Sequence, residues 1–185
     1  MISSLRPLLL AACVGASSQG YAKDCQINPK TVTVEWTGYK TPKKIPVSGT
    51  FTQVDLKGGK GSSIIEALKS LSFTIQGTKV DSGDKARDAK IGNLFFGTMG
   101  GGQIAGKVKK IEKDYAYVDL SMNKVSHEVP LKLTISGRKV VGVGVIDILD
   151  FSGSKSLAQL TKACFAKHEG KTWSEAGVKV TAACK

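Results

Sequence analysis

Residues that hold metals or perform acid–base chemistry are scarce in this 185-residue chain, which has two histidines and four cysteines. No two cysteines have the spacing of a zinc-ligand pair. His127 has Ser126 and Glu128 beside it, but neighbours along a strand point to opposite faces, so these residues form no catalytic triad. The glycine clusters lack the order of a phosphate-binding loop or a dinucleotide fingerprint. The sequence therefore predicts a non-enzymatic protein without a metal or cofactor.

Acidic residues are also outnumbered, with 15 Asp and Glu against 27 Lys and Arg and a formal net charge of +12. A basic balance is typical of proteins that bind nucleic acid or work against anionic membranes. The lysines are scattered and no nucleic-acid-binding motif accompanies them, so we expect no nucleic-acid partner. We interpret the charge as a solvated basic surface, with an anionic membrane surface as the alternative reading.

Long apolar runs are absent except for a short one near the N-terminus. Arg6 precedes an apolar stretch, residues 7–16, that is too short to span a bilayer. Small residues then stand at the two positions that a signal peptidase reads, Gly20 and Ala22. The sequence predicts a signal peptide over residues 1–22 and one exported, periplasmic domain over residues 23–185.

The cysteines add an alternative and an open question. Leu10–Cys13 resembles a lipobox, so a lipoprotein anchored at Cys13 is the alternative to ordinary export. After cleavage at residue 22, Cys25, Cys164 and Cys184 remain. An oxidising compartment favours one disulfide and leaves one thiol over, and the sequence permits all three pairings.

Alternating apolar and polar residues dominate the rest of the chain, the pattern of half-buried strands. Turn signals separate these segments at short intervals, which gives seven or eight strands. Sandwich and barrel are the natural architectures, and a barrel leaves no open edge. The sequence thus predicts an all-β, antiparallel barrel of about eight strands, with two or three short helices. The apolar rows are Val32, Val34, Trp36; Leu71, Phe73, Ile75; Ala116, Val118, Leu120, Met122; Val129, Leu131, Leu133, Ile135; and Val141, Val143, Val145.

Three segments fit short helices. Ser62 or Ser63 can cap a helix over residues 64–71, with Glu66 placed as in a capping box. Residues 84–99 read as a loop with a short helix. Ser154 can cap a later helix that ends at Gly170 and carries Cys164 and His168 on its inner side.

Three stretches of the sequence carry a family resemblance: "VDSGDKARDAKIGNLFF", "VEWTGYKTPKKIPVSGTF" and "LKLTISGRK". The first resembles the most recognisable stretch of the YceI-like family of polyisoprenoid-binding, lipocalin-like periplasmic proteins. The second resembles the opening strands of that family, and the third resembles its Leu-rich strand. The resemblance covers nearly all of residues 25–185. The matching positions are Val80, Asp81, Lys85, Arg87, Asp88, Phe95 and Phe96 in the first segment, and Trp36, Lys40, Gly49 and Phe51 in the second.

The resemblance implies a lipocalin-like barrel whose apolar interior holds a long isoprenoid, quinone or fatty-chain lipid without catalysis. Strands with one apolar face support the same reading, since a lipid pocket is an apolar cavity with few polar groups. The alternative is an envelope protein that docks a partner through its basic surface and has no ligand. A homodimer is compatible with either. The predicted ligand-binding residues are Trp36, Phe51, Phe73, Ile75, Phe95, Phe96, Leu131, Leu133 and Val143.

The family resemblance also bears on the disulfide. The subgroup pattern that "KACFAKHEGKTW" resembles tends to carry a cysteine just before the opening strand, where Cys25 stands. Cys184 lies at a terminus, and termini fray unless they are tied down. We therefore expect a Cys25–Cys164 disulfide, with Cys25–Cys184 as the second choice.

Overall fold

The computed structural model describes residues 24–185, and the expected signal peptide, with Cys13, lies outside this range. The described chain forms twelve strand segments and four α-helices. The strands are β1 (Cys25–Gln26), β2 (Thr33–Lys40), β3 (Ile45–Phe51), β4 (Val54–Lys57), β5 (Lys60–Gly61), β6 (Ser72–Gln76), β7 (Val80–Asp81), β8 (Gln103–Glu112), β9 (Tyr115–Met122), β10 (Val125–Ser136), β11 (Lys139–Asp147) and β12 (Glu175–Ala183). The helices are α1 (Ile64–Lys69), α2 (Lys85–Lys90), α3 (Ser154–Ala163) and α4 (Phe165–His168).

Ten of these strands form one antiparallel sheet in the order β4-β6-β8-β9-β10-β11-β12-β2-β3-β7. Its two ends are joined, because β4 continues β3 and β7 continues β6. At the junctions Thr52 N donates to Lys79 O (2.8 Å) and Gln76 N to Gln53 O (3.2 Å), between the β3–β7 and β4–β6 ladders. Merging these two pairs turns the ten segments into eight longer strands, so the predicted antiparallel barrel is confirmed.

The alternation in the second half of the chain correctly identifies most inward-facing rows. In β9, Ala116, Val118 and Met122 are buried, and the outward residues between them are not. In β10, Val129 is buried and Leu131 packs against the core. These rows face the barrel axis because burying an apolar side chain is worth about 1.5–3 kcal/mol.

The prediction that Val143 on β11 faces the barrel interior is wrong. Its side chain points outward and is 44% exposed, while Gly142 and Gly144 face the interior. The reason is steric: a Cβ on Gly144 would lie 2.7 Å from Leu131 Cδ2, and one on Gly142 would lie 3.4 Å from Leu133 Cδ2. Leucines of β10 therefore fill the space inside β11, and the valines are left outside.

One end of the barrel, the disulfide end, is closed by β1, β5 and α1. Ala67 and Leu68 of α1 pack there with Cys25 and Ile27. Ser63 caps α1 by accepting a hydrogen bond from the amide of Glu66, but Glu66 pairs with Lys69 and not with the cap. This end of the core is thus a separate apolar plug beneath the barrel interior.

The predicted Cys25–Cys164 disulfide is wrong, because Cys25 is bonded to Cys184 and Cys164 is free. The C-terminus does not fray: Asn28 N donates to Ala183 O and Lys185 N to Gln26 O, each at 2.9 Å. These hydrogen bonds hold the end of β12 beside β1, and the Cα atoms of Cys25 and Cys184 are 5.1 Å apart. Backbone pairing therefore decides which cysteines meet.

The other end, the helical end, is covered by α2, α3 and α4. A π-helix (Ile91–Phe95) and a 3-10 helix (Phe96–Thr98) continue α2, as the loop-and-helix reading of residues 84–99 anticipated in part. The later helix differs from its prediction in two ways. Its N-cap is Gly153 and not Ser154, and it breaks at Cys164 into α3 and α4.

Candidate functional site

A cavity of about 240 Å³ runs along the barrel axis. Along β2 and the residue before it, the wall extends from Val32, near the disulfide end, to Tyr39, near the helical end. Seven steps of about 3.3 Å make this path roughly 23 Å long. The cavity is therefore long and narrow, with the shape of an extended chain.

Most of the predicted ligand-binding residues surround this cavity. Whether they bind a ligand stays a prediction, but the barrel brings side chains from β2, β3, β6, β10 and the helical end into one wall. Phe96 makes edge-to-face contacts with two of these residues. Its ring centre lies 4.9 Å from that of Phe95 and 5.6 Å from that of Phe51. Val143 alone is absent. The members of the wall are Trp36, Phe51, Phe73, Ile75, Phe95, Phe96, Leu131 and Leu133.

Sequence reasoning missed part of the wall. Leu157 and Leu160 of α3 line the cavity at the helical end, and Val178 and Val180 of β12 line its side. Helical spacing in "SLAQL" and alternation in "GVKVTAAC" carry the signals that could have found them. Neither shows by itself which element covers the interior and which packs elsewhere.

The interior wall holds few polar atoms. Among the described lining residues the ionisable side chains are Tyr39 and Glu175, both at the helical end. Trp36 Nε1 is buried and has no hydrogen-bond partner in the described structure. Its ring packs so closely on Gly49 that a Cβ there would lie 2.5 Å from Trp36 Cζ2. The interior therefore suits a hydrocarbon chain and offers nothing to a charged group.

At the helical end the cavity is lined by Tyr39, Thr172, Trp173 and Glu175, a set that we call the mouth. Among the described lining residues Glu175 is the one whose side chain is exposed, so the cavity meets solvent here. Trp173 is fixed by a hydrogen bond from Nε1 to Thr41 O (2.9 Å). The indole ring of Trp173 is thus held in place at the boundary between cavity and solvent.

Two lysines cover the aromatic rings of the mouth. Lys44 Nζ lies 5.1 Å from the Tyr39 ring centre and 5.0 Å from that of Trp173, and it forms an ion pair with Glu175. Lys171 Nζ lies 4.7 Å from the Trp173 ring. Cation–π contacts of this kind stabilise exposed lysines by about 0.5–1 kcal/mol. Positive charge is therefore held at the opening and not inside the cavity.

His168 lies beside the mouth in a hydrogen-bonded cluster. Its Nδ1 is 2.8 Å from Thr172 Oγ1, which also accepts from Thr161 Oγ1 (2.9 Å). Burial lowers the pKa of His168, and the positive charges of Lys40 and Lys90 lower that pKa further. The neutral imidazole is thus favoured in this histidine, which ends α4 and whose Nδ1 has a hydrogen-bond partner.

Arg87 and Asp88, which the family resemblance singles out, hold a loop and do not contact the cavity. Asp88 Oδ1 accepts from Ser82 N (2.8 Å) and Ser82 Oγ (2.6 Å). Arg87 donates from Nε to Ser82 Oγ (2.8 Å) and from a terminal nitrogen to Ser82 O (3.2 Å). The two charges fix Ser82 from both sides instead of pairing directly with each other.

Within residues 24–185 no group of three His, Cys, Asp or Glu side chains could hold a metal ion. His127 is exposed, with its ring centre 5.3 Å from that of Phe151. No helix of this part of the chain is long and apolar enough to cross a membrane.

Comparison with known proteins agrees with this architecture. A polyisoprenoid-binding domain from Saccharophagus degradans has a similar structure, with a TM-score of 0.58, 11% identity, and coverage of 88% of this chain and 98% of that one. BcnA from Burkholderia cenocepacia is similar with a TM-score of 0.58 and 16% identity, over 85% of this chain and 98% of that one. A YceI protein from Campylobacter jejuni is similar with a TM-score of 0.53 and 15% identity, over 75% of this chain and 85% of that one. No curated protein sequence matches significantly. The YceI-like domain model matches residues 26–182, and the chain therefore belongs to the YceI-like domain family.

Proposed function

We propose that this protein is a non-catalytic binding protein that holds a long apolar lipid inside its barrel. The observation that carries the proposal is the cavity itself, which is long, narrow and apolar along its length, with its exposed lining residue Glu175 at one end. Each buried CH₂ group contributes about 0.8 kcal/mol. An extended hydrocarbon chain would thus be retained without any catalytic group.

The shape of the cavity limits the class of lipid. A volume of about 240 Å³ is small beside the ~300–1,000 Å³ of common ligand pockets. A single isoprenoid, quinone-tail or fatty chain suits such a volume, whereas a fused ring system does not. A full-length isoprenoid would also require the side chains of Leu157 and Leu160 to move, or a part of the chain to project through the mouth.

We place this function in the periplasm. The Cys25–Cys184 disulfide is typical of oxidising compartments, and the expected leader would deliver the chain there. The name of the Saccharophagus domain, a polyisoprenoid binder, supports an isoprenoid as the first ligand to test. The basic surface suits exchange with anionic membranes.

The test is native mass spectrometry of protein purified without detergent, followed by lipid extraction. We expect an added mass of one lipid per chain. Leu133→Arg places a charge in the cavity wall and should abolish retention while the β-type circular dichroism is kept. Val143→Arg is the matched control, because this side chain on the neighbouring strand points outward. Unliganded wild-type protein, or equal retention by both variants, would contradict the proposal.

A further inference from the structure

The surface around the mouth combines positive charge with exposed apolar side chains. We call residues 40–45 and 162–175 the mouth surface. It contains six lysines and two glutamates, and one of the two, Glu175, is paired with Lys44. The lysines are Lys40, Lys43, Lys44, Lys162, Lys167 and Lys171. This surface therefore carries more positive than negative charge beside the mouth.

Backbone contacts join the two segments into one surface. Lys40 pairs with Thr172, and Thr41 N donates to Lys171 O (3.0 Å). Phe165 lies against Gly170, since a Cβ on Gly170 would be 3.2 Å from Phe165 Cε2. Phe165 is therefore next to Lys171, whose ammonium group lies over the ring of Trp173 in the mouth.

Three of the seven large apolar residues that are exposed in the described structure lie at this end. Phe165 is 65% exposed, although full burial of a phenylalanine would be worth about 1.5–3 kcal/mol. Ile45 begins β3 within the mouth surface and is 43% exposed. Leu149 is 52% exposed and lies next to the mouth surface, because the preceding residue, Ile148, donates a backbone hydrogen bond to Ser174 O. An exposed phenylalanine among lysines suits a partner that has an anionic outer layer and an apolar layer beneath it.

We propose that the mouth surface is a docking site for an anionic lipid bilayer. Lysines would contact the lipid head groups, Phe165 and Ile45 would enter the interface, and Tyr39 and Trp173 would lie at head-group depth, where such rings are favoured. The mouth would then face the membrane, and an apolar chain would pass between bilayer and cavity without crossing water. This inference rests on the proposed lipid-binding function.

The experiment measures binding to vesicles of brominated phosphatidylglycerol, with brominated phosphatidylcholine for comparison. Bromine quenches a tryptophan that enters the bilayer, and Trp173→Phe identifies the part of the quenching that belongs to the mouth. The full chain and all its variants share the same N-terminal segment, so its contribution is common. We expect quenching of Trp173 with the anionic vesicles and little with the neutral ones.

Matched variants separate the mouth surface from basic charge in general. Lys43→Glu with Lys167→Glu should weaken binding at least tenfold, since each lysine is worth about fivefold near an anionic surface. Lys60→Glu with Lys139→Glu makes the same charge change at the disulfide end and should weaken binding much less. Phe165→Ser should weaken binding roughly tenfold, whereas Tyr115→Ser at the opposite end should not.

Two results would overturn the docking proposal: equal losses in the mouth and control variants, or vesicle binding without quenching of Trp173. Loss of a dimer in Phe165→Ser, with vesicle binding unchanged, would identify a protein interface instead. Lipid retention, followed in the same variants by native mass spectrometry, tests the proposed function separately. If the protein retains lipid but the mouth variants bind vesicles as well as wild type does, only the docking proposal is contradicted. If the mouth variants lose vesicle binding but wild type carries no lipid, only the proposed function is contradicted.

Discussion

Leu131 packs directly over Gly144, so that a Cβ on Gly144 would lie 2.7 Å from Leu131 Cδ2 and 2.8 Å from Pro130 O. The backbone oxygen cannot move aside as the end of a side chain can. The packing of β10 against β11 therefore depends on glycine at this position, and the leucine on the neighbouring strand occupies the space that a second side chain would need.

Gly144→Val should lower the free energy of unfolding by about 1–3 kcal/mol, because overpacking forces side chains and backbone to shift. Urea denaturation followed by circular dichroism measures this change. Val143→Thr is the matched outward-facing control and should change stability by no more than about 0.5 kcal/mol. Similar losses in both variants would contradict the assignment of the glycines to the inner face.

Removing the disulfide by Cys25→Ser with Cys184→Ser should lower the free energy of unfolding by about 4–5 kcal/mol in the chain-entropy description, because the bond joins residues 159 apart in sequence. Cys164→Ser should have little effect, because that thiol is free. Urea denaturation compares the stabilities, and non-reducing peptide mapping identifies the linked pair. A linked peptide that contains Cys164 would show that this pairing is wrong.

Asp88→Ala should destabilise the loop at Ser82 by about 1–3 kcal/mol, because the amide and hydroxyl of Ser82 would lose their acceptor. Lys85→Ala, an exposed position at the start of α2, serves as the control. Hydrogen exchange of the Ser82 amide provides the local measurement. Unchanged protection in Asp88→Ala would mean that the carboxylate does not hold this loop.

Acid should destabilise the protein partly through His168. Its pKa in the folded state is lowered, first by burial and then by Lys40 and Lys90, so the unfolded chain binds its proton more readily. This contribution to stability is fully present above the unfolded pKa of about 6.5 and is lost as the pH falls below it. Urea denaturation at several pH values should show that the free energy of unfolding falls less on acidification in His168→Gln than in wild type. His127→Gln is the control, and identical pH profiles for wild type and His168→Gln would refute the idea.

The positions of β9 and β10 and most of the cavity wall follow from local patterns. In β9 and β10, large apolar residues alternate with polar ones, so only one face can be buried at low cost, and Val118, Leu131 and Leu133 are correctly placed by the sequence. The family resemblance added the paired Phe95 and Phe96, which an irregular helical segment carries and which no period-two pattern would have identified.

Three features were decided by tertiary structure. On β11 both faces are apolar or glycine, so alternation does not distinguish them, and packing of Leu131 over Gly144 turned Val143 outward. The C-terminal strand pairs with residues near β1 across the whole length of the chain, which brought Cys184 and not Cys164 to Cys25. The mouth joins residues from the β2–β3 turn with the segment after α4, as the contact of Lys44 with Trp173 shows. Sequence patterns report the environment of neighbouring residues, whereas each of these outcomes depends on which distant segments the closed barrel brings together.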